Sequence, residues 1–444
     1  MKVCQKYFHQ LFAVAVFTVV LIFLKAPVTN LLNVHLTHRS CAVPPFWSRG
    51  FARSCCDVYP TTFGKHSGGF FEAGSSSDLS YFLKRQPKSG DVVYVATADF
   101  PTFLEFFSRL GEDVRITLIT GGEDIGAPWE IFHPDRDFFD YKMSALWPKG
   151  QRMTMREFIS DQRLLRWHTQ NYDLIGNTSY SRSDVSALTD QKIISKVHPI
   201  PIGLDFHTMA EKNGRLSRQQ ALDSVCSQQE RLTEALSQSL PFLSRASAVY
   251  AKFDCAFLKN KRMREISRGE ICRLLASYNS LGNDSGNCTN TVLFTDPLHK
   301  NPVGKAEAKV PFQASRYSYW SQVAKVKFAI APPGMGTDTH RVWEILNLHC
   351  VAIVLSSPLD GLYGMFPVVI VQKWQEVFEE GALARFENGI VSRFGENPFN
   401  SRVKRMLESS YWVEMIRNTS RLDMQRRATE DALHDSMSRT LIHC

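Results

Sequence analysis

The stretch "IAPPGMGTDTHRVWEIL", Ile330 to Leu346, joins the end of an apolar run to an amphipathic one through prolines and glycines. With the residues before it, "KFAIA" reads as a buried strand and Pro332-Pro333-Gly334-Met335-Gly336 as a loop. Thr337 or Asp338 then caps a helix that carries Arg341 and Glu344. Glycines let main-chain amides approach a phosphate closely, and a helix N-terminus offers N–H groups and partial positive charge. Arg341 adds a bidentate donor suited to a pyrophosphate. Glu344, one turn further, offers an acceptor for ribose or sugar hydroxyls. The same letters also fit a plain turn ahead of a helix with an Arg341–Glu344 surface pair at i,i+3. The pattern is neither a Walker loop nor GxGxxG, so local chemistry leaves both readings open.

The surroundings read as two α/β units. "DVVYVATADF", "TFLEFFSRLG" and "VRITLITGG" give strand, helix and strand, and apolar β-branched runs of that kind belong in a parallel sheet. "MTMREFISDQRLL" reads as a helix, "RWHTQNYDLIG" as a further strand, and "KVHPIPIGLDFHT" as a strand broken by prolines. Residues 209–245 are polar and helix-prone and read as a connector. A second alternation runs from "ASAVYAKFDCAFL" through "KFAIAPPG", "VAIVLSS" and "FPVVIV". The division expected is 1–25 tail and anchor, 26–90 stem, 91–208 first Rossmann-like domain, 209–245 connector, 246–399 second domain, and 400–444 a helical tail that packs back on the body.

The 444 residues, with 44% hydrophobic and 22% charged, describe a folded chain of more than one domain. The net +8 is dispersed without basic blocks, which speaks against a nucleic-acid partner. "LFAVAVFTVVLIFL", Leu11–Leu24, is uncharged and follows Lys2 and Lys6, as in a signal peptide or a short signal anchor with a luminal body. Lys25-Ala26-Pro27-Val28 makes a poor cleavage site, which favours a retained anchor and a type II protein of the Golgi or endoplasmic reticulum. Sequons at Asn177, Asn283, Asn287 and Asn418 agree with a luminal body. Cys226, Cys255, Cys272 and Cys288 form a cluster in which one or two disulfides are expected.

Residues 325–376, "KVKFAIAPPGMGTDTHRVWEILNLHCVAIVLSSPLDGLYGMFPVVIVQKWQE", resemble the donor-binding half of exostosin-like glycosyltransferases and, more loosely, of α1,3-fucosyltransferase-type enzymes. "NYD…KVHPIPIGLDFHT" adds a second point of resemblance. Cys350 stands where that pattern usually has Gly, and Ala352 where it has Pro. The resemblance implies a GT-B architecture, two Rossmann-like domains facing across a cleft, with a nucleotide sugar held mainly by the second. It makes Gly334, Gly336, Asp338, Arg341 and Glu344 donor-site candidates, with Ser356 and Ser357 lining the pocket and Arg268 neutralising the diphosphate. Lys259, Lys261 and Arg262 are weaker candidates for the same charge.

An acceptor hydroxyl needs a general base, and the loop "GGEDIGAP" after the second strand offers Glu123 and Asp124. Asp99 and His168 compete for that role, and Asp205 and His207 fall near the expected domain seam. No persuasive DxD motif is found, so no metal or cofactor is expected; cations and a helix dipole would stabilise the leaving diphosphate. Trp147, Trp167, Trp320, Trp343 and Trp374 either stack on sugar rings or build the core. The function expected is transfer of a sugar from a nucleotide donor to a glycan or glycoprotein, with inversion. The rival is a non-catalytic luminal protein that binds or stabilises another transferase, and association with itself or other transferases stays open. Glu344→Ala is expected to abolish transfer while leaving folding near normal.

Overall fold

Val92–Ala96 (β1) and Ile116–Gly121 (β2) are buried at every residue, as strands covered on both faces must be. The structure, a computed structural model, describes residues 45–46, 48–59, 85–122, 124–132, 153–173, 195–206, 218–253, 268–275, 277, 293–294, 312–334 and 336–442. In chain order, α1 (Ser48–Cys55) precedes β1, and α2 (Phe100–Ser108) leads to β2. Two short helices, α3 (Trp129–Phe132) and α4 (Met155–Ser160), come before β3 (Leu164–Thr169) and β4 (Val197–Pro199). These strands pair in parallel in the order β1-β2-β3-β4. The long α5 (Arg218–Ser237) then leads to β5 (Ala246–Ala251), β6 (Leu293–Phe294), α6 (Phe312–Val323), β7 (Val326–Ile330) and α7 (His340–Asn347). After β8 (Val351–Leu355), α8 (Asp360–Tyr363) and β9 (Val368–Val371) come α9 (Ala382–Phe394), α10 (Ser401–Met406) and α11 (Ser409–Ile442). The second sheet is also parallel, ordered β6-β5-β7-β8-β9. The chain is thus an α/β protein with two parallel sheets, and everything from Pro45 onward belongs to one compact unit.

The second sheet reverses direction once. From β5 the chain moves outward to β6, then returns to the other side of β5 as β7 and continues to β8 and β9. The switch point therefore lies between β5 and β7, where parallel sheets leave a crevice beyond their carboxyl ends. The Pro332–Gly336 loop leaves β7 at that crevice.

Aromatic packing fills the first half. Phe100 stacks on Trp167 at 5.2 Å between centroids, and Phe103, Phe107, Phe132 and Phe158 complete the cluster. Trp167, Trp320, Trp343 and Trp374 are all buried, so they are core residues rather than sugar-stacking ones; Trp147 lies outside the described residues. The expected helix "MTMREFISDQRLL" ends at Ser160, closed at its start by a Thr154–Glu157 capping box. Leu164 and Leu165 instead open β3, beside an Arg163 held by Asp161 and the Phe107 and Leu110 carbonyls.

One boundary moves. Part of the expected stem belongs to the folded body: Phe46, Phe51 and Cys55 are buried, and Val58 bridges Val93 in parallel. Apolar side chains at those positions suit a core better than a solvated tether. The C-terminal helix α11 does pack back, onto the first sheet. Arg166 grips Asp423 with two bonds of 2.7 and 3.0 Å, Thr117 bonds Ser420 at 2.9 Å, and Arg417 pairs with Asp57. The expected anchor at Leu11–Leu24 lies outside the described residues, among which no helix is long and apolar enough to cross a membrane. Cys272 is disulfide-bonded.

Helix α7 ends through His349, whose φ of +52° is the left-handed conformation that glycine suits best. The glycine-like position is therefore 349, and Cys350 instead enters the buried strand β8. His349 stacks on Phe399 at 5.0 Å, and burial pushes its pKa down to about 4. His168 is fully enclosed on β3, and burial together with His198 and Arg166 holds it well below 6.5. Both rings are neutral in the folded state and take up protons on unfolding, so their stabilisation is complete above pH 6.5 and falls away below it. For His349 the loss between pH 6.5 and 4 is about 2–3 kcal/mol. Urea midpoints should fall over that window, and less in His349→Asn, which keeps the left-handed backbone; equal slopes would remove the assignment.

Candidate functional site

Three donors converge at the β5/β7 crevice. Arg341, on the first turn of α7, donates to the carbonyl of Lys252 just beyond β5 and lies over the Tyr319 ring at 5.0 Å. Arg268, in the helical segment 268–275, brings Nη2 within 3.8 Å of where a Cβ on Gly334 would sit. Thr339 occupies the N-cap of α7 without capping it, and its buried Oγ1 has no hydrogen-bond partner among the described residues. Its Cγ2 lies 3.3 Å from the same Gly334 Cβ position. One guanidinium, a helix N-terminus and an unpartnered hydroxyl thus meet at Gly334, with the Arg341 guanidinium at the neighbouring strand end, a combination that attracts an anion.

The other donor-side candidates take different places. Asp338 does not cap α7: its carboxylate turns inward and is buried. It accepts from Ile202 N at 2.8 Å, Tyr363 Oη at 2.9 Å, and Trp343 Nε1 at 2.9 and 3.0 Å. Burial raises its pKa to about 6, against the pull of those donors. Glu344 does not pair with Arg341. It forms a buried ion pair with Arg316 of α6, whose guanidinium also donates to the Asp205 carbonyl and Gln228 Oε1 and lies 5.0 Å over Trp320. Ser356 and Ser357 form a capped turn before α8, with Ser356 Oγ donating to Asp360 Oδ2 and Ser357 N to Asp360 Oδ1.

On the first sheet, Asp124 is half-buried in the loop after β2, and Glu123 lies outside the described residues. Asp99 ends a 3-10 turn after β1 and is buried. Gly122 N donates to Gln170 Oε1, and a Cβ on Gly121 would lie 2.6 Å from Gln170 Cδ, so the glycines let Gln170 close over the strand ends. Asp173 caps α3 through Trp129 N and Glu130 N. A seam between the loops of the two sheets runs beside Asp205: Arg316, Asp338 and His340 all reach residues 202–205, His340 Nδ1 donating to Gly203 O at 2.7 Å. His207, Lys259, Lys261 and Arg262 lie outside the described residues.

Two residues escaped sequence reasoning. Arg316 reads as one more polar residue on a helix, yet it is buried against Glu344. Asn171 carries an unusual φ of +50°, and its Oδ1 accepts from Asp338 N at 2.9 Å, across from the first sheet to the second. Only the Asn-Tyr-Asp spelling hinted at it, since asparagine tolerates left-handed backbone. Asn418 is exposed on α11, while Ser420 of the same sequon is buried against Thr117; Asn177, Asn283 and Asn287 lie outside the described residues. No group of three or more His, Cys, Asp or Glu able to hold a metal occurs among the described residues.

No family model matches the chain, and no curated protein matches it. Among solved structures, one described as "OtsA apo structure" aligns at 10% identity and a TM-score of 0.29, over 79% of this chain and 74% of that one. A likeness that faint carries no argument, so the fold stands on the two sheets themselves.

Proposed function

We propose that the chain is a glycosyltransferase of GT-B type that transfers a sugar from a nucleotide donor to a glycan or glycoprotein, with inversion and without a resident metal. The observation that carries this reading is the coincidence of the switch point with the cationic glycine loop: Arg268 and Thr339 meet Gly334 beyond the end of β7, and Arg341 lies at the end of β5 against the Lys252 carbonyl. A diphosphate placed there would receive two guanidiniums and the start of α7. The exostosin-like pattern over residues 325–376 supports a sugar nucleotide over other diphosphates. Glu123 and Asp124, on the loop after β2, remain the proposed bases, and the body is proposed to lie in the lumen of the Golgi or endoplasmic reticulum behind the Leu11–Leu24 anchor.

Arg268→Ala and Arg341→Ala are each expected to weaken binding of nucleoside diphosphates by about 10- to 100-fold, the loss of one charge-assisted hydrogen bond. Calorimetric titration of the full-length protein checks this, alongside a hydrolysis screen over nucleotide sugars. One observation favours the rival reading of a non-catalytic partner: Glu344 and Asp338 are both satisfied inside the protein. Absence of nucleotide binding in the wild type would decide for that rival.

A further inference from the structure

Asn171 is fully enclosed at the carboxyl end of β3 and joins two loops that belong to different sheets. Its carbonyl accepts from Ala127 N at 3.2 Å, which fixes the loop that follows β2. Its side chain reaches the loop that follows β7 and accepts from Asp338 N at 2.9 Å. The approach is close enough to dictate the partner residue: a Cβ on Gly336 would overlap Asn171 Oδ1 and lie 2.9 Å from Cγ and Nδ2. Gly336 in turn accepts from Gly334 N at 3.1 Å, so the contact continues into the turn that Arg268 and Thr339 surround. A left-handed asparagine costs little in backbone energy but is an uncommon choice, and it aims the side chain across the seam.

We propose that Asn171 is a positioning residue for the anion loop. It acts from the first sheet, through Gly336 and Asp338, to hold the Pro332–Gly336 turn in the shape that presents Gly334 and the start of α7 to a diphosphate. The proposal rests on the anion-loop reading given above. It adds that the loop's shape is set by the other half of the protein, so that the candidate acceptor loop after β2 and the donor loop after β7 share one anchor. Hydrogen bonds from Ile202 N to Asp338 and from His340 to Gly203 O secure the same seam on either side. The contact can therefore be loosened without freeing the two halves.

The test is a double-mutant cycle on the full-length protein, with inorganic pyrophosphate and the four common nucleoside diphosphates as probes. Asn171→Gly keeps the left-handed backbone and the bond to Ala127 while removing the side-chain acceptor. Gly336→Ala strikes the same contact from the other side. Dissociation constants are measured at a temperature where circular dichroism shows each variant fully folded. Each single change is expected to weaken pyrophosphate binding about tenfold or more. Asn171→Gly should also make room for the methyl group that Gly336→Ala adds, so that the double variant binds no worse than Gly336→Ala alone. A residue that only stabilised the fold would lower the melting temperature and leave the dissociation constant unchanged. Wild-type protein that binds none of the probes overturns the anion-loop reading and this proposal with it. Wild-type binding matched within twofold by Asn171→Gly overturns the positioning role alone, as do losses that multiply independently. Should Gly336→Ala fail to fold, the dissociation constant of Asn171→Gly decides by itself.

Discussion

Glu344→Ala lowers the unfolding free energy by about 3–5 kcal/mol, the penalty for leaving one member of a buried ion pair without its partner. Arg316 and Glu344 are only 8% and 10% exposed, so neither charge can turn to water when the other is removed. Arg316 keeps its bonds to the Asp205 carbonyl at 2.6 Å and to Gln228 Oε1 at 3.4 Å, but these are neutral acceptors and leave the charge uncompensated. The expectation from sequence, loss of transfer with folding intact, therefore does not fit this geometry. Loss of activity in Glu344→Ala would not identify a donor contact, because the seam between α5, α6 and the 202–205 segment loosens with it. Glu344→Gln keeps an oxygen for Arg316 and should lose about half as much. Replacing both partners, Arg316→Met with Glu344→Leu, should recover most of the stability, since apolar pairs commonly substitute for buried ion pairs at little cost. Urea denaturation of the four proteins checks the pattern. A Glu344→Ala midpoint equal to the wild type would mean that the pair contributes nothing.

The parallel sheets were readable because their strands are continuous apolar runs. "VVYVA", "ITLITG", "VKFAI" and "VAIVL" cannot be half-solvated, and helical stretches between them leave only parallel pairing. The loop after β7 was readable for the same reason, as glycines and prolines punctuate a strand-to-helix joint. What lay hidden depends on contacts remote in sequence. Glu344 has an arginine three residues before it, yet its partner is Arg316, brought alongside when α6 packs against α7. Asp338 looks like a helix cap because Asp often is one, and tertiary donors from Ile202 and Tyr363 draw it inward instead. The buried strip of the stem was hidden because Ser, Gly and Pro surround Phe46 and Phe51, and Phe46 finds its core in Trp412 of α11 and Gly203, both remote in sequence.

Asp338→Ala should be the other large loss, about 4 kcal/mol or more, because three buried donors lose their acceptor together at about 1–3 kcal/mol each. Ile202 N, Trp343 Nε1 and Tyr363 Oη all end on the one carboxylate, and the first of these comes from the other side of the seam. Asp338→Asn behaves differently. An amide can place its oxygen where Ile202 N and Trp343 Nε1 donate and turn its NH₂ toward Tyr363, whose hydroxyl can reverse and accept. The charge, meanwhile, is a burden at neutral pH, since burial raises the carboxyl to about 6 against an unfolded value near 3.8. With its folded pKa raised, the group's stabilising contribution is complete below pH 3.8 and is lost as pH climbs through 6. That loss is about 2–2.5 kcal/mol between pH 4 and pH 7. The stability of Asp338→Asn relative to wild type should therefore rise by about that amount over the same range, while the histidine terms, common to both proteins, cancel in the difference. Paired urea titrations at pH 4, 5, 6 and 7 measure it directly. A difference independent of pH would mean that Asp338 stays ionised throughout, its donors outweighing its burial. A difference rising as described would mark the seam as a place where the protein tolerates a proton, beside the loop proposed to hold the diphosphate.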